Sequence, residues 1–160
     1  MKPITIVIAK YTAILSIAFL INLWILDYSG AHVPENIPST QIHVRGVIIF
    51  LIVLLTLIFS QKEAVKKYSG ITIGKLTLVG SIIGLFAEII FQSVRVFTLE
   101  GNRLHYFLIG IIGMTTFDAV MSFFVAYQIK TKNTNRLILF IIILLVLVRI
   151  VLYLFPAALG

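Results

Sequence analysis

The chain has 160 residues, 60% of them hydrophobic and 12% charged, with a formal net charge of +7. Soluble domains sit near half apolar and a quarter charged, so water is not the main solvent here. The absence of cysteine excludes disulfides, iron–sulfur clusters and thiolate chemistry.

Five apolar runs, at residues 4–26, 45–61, 71–97, 104–129 and 136–155, approach the roughly 20 residues that carry a helix across about 30 Å of hydrocarbon. None alternates apolar with polar as a barrel strand does, and a helix satisfies its own backbone in lipid. The expected fold is an all-α integral membrane bundle of five transmembrane helices forming one domain over 1–160.

The first run is interrupted by Lys10 and continues to Leu26, too long for a signal-peptide core and without a clear cleavage site, so it reads as a retained anchor helix. The connection that follows, 27–44, has loop composition with Gly30, Pro34, Asn36 and Pro38. After the second run comes a short hairpin with Lys62, Lys66 and Lys67, and after the fourth a connection with Lys130, Lys132 and Arg136, Glu63 being the one acid among these basic connections. The first and third connections instead hold Asp27, Glu35 and Glu100. The positive-inside rule then predicts a cytoplasmic N terminus and an external C terminus in a bacterial-type inner membrane. The basic excess is therefore a topology signal, with contact to anionic lipid as its side effect and no nucleic-acid role.

The third run is the most informative. Thr77, Ser81, Gly84, Glu88, Gln92 and Arg95 follow at steps of 4, 3, 4, 4 and 3, so they share one helical stripe. A lipid-facing stripe would be apolar, so this one is expected to face protein or a hydrated cavity. Gly80 and Gly84 form a small-xxx-small pair that lets a neighbouring helix approach. In the fourth run Gly110 and Gly113, expected helix-packing positions like Gly80 and Gly84, precede a second polar face of Thr115, Asp118 and Ser122. Both runs contain Ile-Ile-Gly ahead of the acid, at 82–84 and 111–113, but three shared residues in an isoleucine-rich background do not establish a repeat.

A charged, unpaired carboxylate at a helix centre costs roughly 2.5–3.5 kcal/mol on insertion scales, so Glu88 and Asp118 require pairing, protonation or water. The expected bases are Arg149 for Glu88 and Lys10 for Asp118. Arg95, two turns from Glu88, competes for it, and both bases lie near enough to helix ends to snorkel. His32, His43 and His105 are scattered over two connections in no ligand pattern, and no hydrolase elbow, zinc-protease, phosphate-loop or dinucleotide motif is present. No metal or cofactor is expected.

The stretch 44–133, with the hairpin Lys62–Lys67, the segment Gly70-Ile-Thr-Ile-Gly-Lys75, the Gly80 helix and the helix ending at Gln128-Ile-Lys130, resembles a family of small bacterial polytopic membrane proteins known only as a domain of unknown function. That family looks four-helical, so the run at 136–155 departs from it, and the resemblance implies no activity or site residues. The functional expectation is a non-enzymatic membrane subunit or assembly factor, with a protein partner or further copies of itself in the bilayer. The alternatives are a small oligomeric transporter or cation/proton channel built on Glu88 and Asp118, and a lipid-modifying membrane enzyme.

Overall fold

The computed structural model describes the backbone of residues 2–30, 39–98 and 104–154, and side chains over 4–24, 47–94 and 107–143 apart from 109, together with 146. Five helices run through these residues: α1 (Lys2–Gly30), α2 (Ser39–Lys67), α3 (Ile73–Thr98), α4 (Leu104–Thr131) and α5 (Thr134–Leu154). Among the described residues four contain spans long and apolar enough to cross a membrane, at Ile4–Trp24, Val47–Lys67, Ile73–Val94 and Gly110–Thr131. Twenty-one residues at 1.5 Å rise cover about 32 Å, the thickness of the hydrocarbon core. In α5 the apolar stretch with described side chains is shorter, Thr134–Ile143.

Local chemistry sets the helix ends. Thr72 Oγ1 accepts the Lys75 N–H at 3.3 Å, an N-cap for α3. α4 closes where Lys132 takes a left-handed φ of 52° and its N–H reaches the Gln128 carbonyl at 3.0 Å. Asn133 Oδ1 then accepts the Arg136 N–H at 3.1 Å and starts α5. The second helix outruns its apolar stretch at both ends. Residues 62–67 were expected as a hairpin, yet Lys62 through Lys67 remain helical, with Glu63 and Lys67 paired one turn apart at 2.7 Å.

α3 is the central helix. It packs against α1, α2 and, most extensively, α4, whereas among the described residues α5 touches α4 and no other helix. The main core takes every fourth residue of α1, Val7, Tyr11, Leu15 and Phe19, and sets them on Val53 and Leu57 of α2 and Val79, Ile83 and Ala87 of α3. Phe19 meets Phe91 edge to face with centroids 5.6 Å apart. The opposite faces are apolar as well, with Ile17, Leu55, Leu78 and Ile112 exposed, as a bundle solvated by lipid requires. α5 is held by Phe140, which lies across Tyr127 at 5.3 Å and Phe123 at 6.2 Å.

One end of the bundle gathers the basic residues. Lys10 on α1 and Lys67 on α2 both bind Glu63, at 2.8 and 2.7 Å, and the Tyr11 hydroxyl donates to the same carboxylate at 3.0 Å. Lys130 donates to the Ser69 carbonyl at 3.2 Å, joining the α2–α3 and α4–α5 connections. This corrects the expected pairing of Lys10 with Asp118. Lys10 is still an ion-pair base, but Glu63, at the same end of the bundle and close to water, takes it instead.

Candidate functional site

The polar stripe of α3 and the polar face of α4 meet in one interface, and three contacts there set a polar side chain of one helix on a glycine of the other. Asp118 sits on Gly84, Ser122 on Gly80 and Gln92 on Gly110. A Cβ placed on Gly84 would fall 2.6 Å from the Asp118 Cβ, and one on Gly80 would fall 2.8 Å from the Ser122 Cβ. On Gly110 it would meet the Gln92 amide nitrogen at 2.6 Å. The register follows from helical periodicity: residues 80, 84, 88 and 92 of α3 and 110, 114, 118 and 122 of α4 each form a four-step row, and antiparallel rows match position for position. Glycine is required at these notches because only a missing side chain leaves the opposing polar group a seat.

Gly113 is the exception among the glycines expected to pack. It is exposed, and a Cβ on it would meet nothing within 4 Å. Three residues past Gly110, it lies about 60° off the row that faces α3.

Around Ser122 the polar groups tie three helices. The Gln61 amide of α2 donates to the Ser122 hydroxyl at 2.8 Å and to its carbonyl at 3.0 Å, and the Ser122 hydroxyl donates to the Thr77 carbonyl of α3 at 2.9 Å. Ser81 donates to that same carbonyl at 2.9 Å, while the Thr77 hydroxyl turns back to Ile73 at 3.0 Å. Thr77 and Ser81 therefore keep their hydroxyls on their own helix, and only the Thr77 carbonyl works between helices. Gln61, fully buried, was not singled out in the sequence because it ends an apolar run beside a lysine and reads as the start of a connection. Its signal was position: it lies within reach of the membrane end of the polar row on α3. Glu63 was missed for a similar reason, having been counted only as a connection charge.

The carboxyls are enclosed. Glu88 is 2% exposed, and Gln92, one turn on, donates to it at 3.4 Å. Asp118 is wholly buried, and among the described residues neither of its oxygens has a hydrogen-bond partner; the Thr115 hydroxyl, one turn before it on α4, is likewise unpartnered there. Since Asp118 seats on Gly84 and Glu88 is the next member of that row, the two acids lie in adjacent layers of one interface. The side chains of Arg95 and Arg149, expected near Glu88, lie outside the described residues, as do those of His32, His43 and His105.

The arrangement can do two things chemically. Its hydrogen-bonded half, around Ser122, fixes the register of α2, α3 and α4. Its acidic half, around Asp118, offers an acceptor site with no donor among the described residues. Comparison of the chain with protein families, with curated proteins and with solved structures finds no match in any of the three.

Proposed function

We propose that this protein is a non-catalytic membrane subunit or assembly factor that works through intramembrane contact with a protein partner or with further copies of itself. All five helices span a bacterial-type inner membrane, with the N terminus and both basic connections cytoplasmic and the C terminus external. The observation that carries the reading is the glycine-seated interface. Asp118, Ser122 and Gln92 each seat on a glycine of the facing helix, with Ser122 binding α2 and α3 at once. A helix such as α5, apolar and among the described residues in contact with α4 alone, leaves intramembrane surface for association.

The test combines reconstitution with native-membrane crosslinking. The expected outcome is no proton, sodium or potassium flux through proteoliposomes, together with a defined complex that survives mild detergent. A chain that stays monomeric and partner-free in native membranes would sink the reading.

A second reading, a small transporter or cation/proton channel, is favoured by the one observation the first leaves unused: Asp118 buried without a hydrogen-bond partner. It expects flux that Asp118→Asn and Glu88→Gln abolish while the helical content of the protein is unchanged. Flux indifferent to both substitutions excludes these acids from a pathway.

A further inference from the structure

A cleft of about 600 Å³ opens between α2, α4 and α5, within the 300–1,000 Å³ typical of ligand sites. Among the described residues α5 rests on α4 through Phe140 and makes no contact with α2, which leaves the wedge between α5 and α2 open. Its α2 wall is a single row at four-residue steps, Phe50, Leu54, Ile58 and Lys62, faced by Met121 of α4 and Ile141 of α5. From Phe50 to Lys62 the row rises about 18 Å at 1.5 Å per residue. One leaflet of a bilayer has a hydrocarbon depth of about 15 Å, half of the full core. The cleft is thus one leaflet deep, apolar throughout its length, and ends in a cation.

That end has the chemistry of a headgroup site. Lys62 is exposed and makes no ion pair among the described residues, although Lys10 and Lys67 nearby are both engaged by Glu63. Lys66, Lys132 and Arg136 add to the positive field at the same end of the bundle. Gln128 also lines the cleft, its amide nitrogen donating to Thr134 Oγ1 at 3.1 Å. An ammonium for a phosphate stands above a slot for an acyl chain.

We propose that this cleft is a binding site for one anionic phospholipid from the leaflet at the basic end. Its phosphate lies on Lys62, and an acyl chain fills the groove down to Phe50. Charge complementarity and the match of cleft length to leaflet depth choose this occupant over a second copy of the chain, whose α5 is apolar where Lys62 needs an anion.

Native mass spectrometry of the full chain, titrated with phosphatidylglycerol or phosphatidylcholine, tests it. One phosphatidylglycerol is expected to stay bound under activation that strips phosphatidylcholine. Lys62→Gln weakens its retention about fivefold, the worth of one basic residue against an anionic lipid. Lys132→Gln, outside the cleft, has a smaller effect, and Ile141→Trp, which fills the groove from the exposed side of α5, removes the adduct. Equal retention of the two lipids overturns the proposal. So does an equal loss from Lys62→Gln and Lys132→Gln, which marks diffuse surface charge. A dimer crosslinked between Ile58→Cys and Ile141→Cys in native membranes also overturns it, by seating a second copy in the groove. Should Ile141→Trp not fold, the comparison of Lys62→Gln with Lys132→Gln decides the matter.

Discussion

At Gly84 a missing side chain determines how two helices meet. Asp118 occupies the space a Cβ would take, so Gly84→Ala forces either the carboxyl or the whole of α4 outward. Overpacking of this kind costs about 1–3 kcal/mol. The expected result is a matching loss of stability on unfolding in detergent, while Gly74→Ala, on the same helix but facing open space, is neutral or stabilising. Similar losses in the two variants would show that the α3–α4 contact is looser than the register described. Several of these residues were legible in the sequence, because the spacing of Gly84, Glu88 and Gln92 carries its phase and polar residues avoid lipid. Their partners were not: nothing in a single sequence sets Ser122 opposite Gly80 rather than Gly84. Gly113 was misjudged because proximity in sequence to Gly110 does not put it on the same face.

Among the elements, α2, α3 and α4 are bound by one serine. The bridge from Gln61 through Ser122 to the Thr77 carbonyl predicts measurable coupling between Gln61 and Ser122. A double-mutant cycle with Gln61→Ala and Ser122→Ala is expected to give about 0.6–1.7 kcal/mol, the range seen for polar contacts between membrane helices. Additive effects would mean that each side chain acts alone. Helix number was readable from hydropathy, since each run has to satisfy its backbone in lipid. Helix length was less so. The hydropathy boundary of α2 fell at 61, but lysine and glutamate are good helix formers, and the Glu63–Lys67 pair extends the helix beyond the apolar stretch. The separation of α5 from α2 had no signal at all, because an all-apolar helix carries no face that names its neighbour.

For the molecule as a whole, the charge asymmetry read from the connections has a structural counterpart. Glu63 draws Lys10 and Lys67 together, and Lys130 caps the neighbouring connection through Ser69. If that end is cytoplasmic, a cysteine at Lys132 resists a membrane-impermeant maleimide in intact cells while one at Glu100 is labelled. The reverse pattern would invert the bundle. With no native cysteine, the readout has no background. The seating of Asp118 on Gly84 also bears on how the chain is made. During synthesis α3 leaves the ribosome before the helix that covers its glycines and its acid, and stranding a charged carboxylate in lipid costs roughly 2.5–3.5 kcal/mol on insertion scales. The two helices are therefore best delivered to the bilayer as a closed hairpin, turn leading, so that neither acid meets lipid before its seat exists.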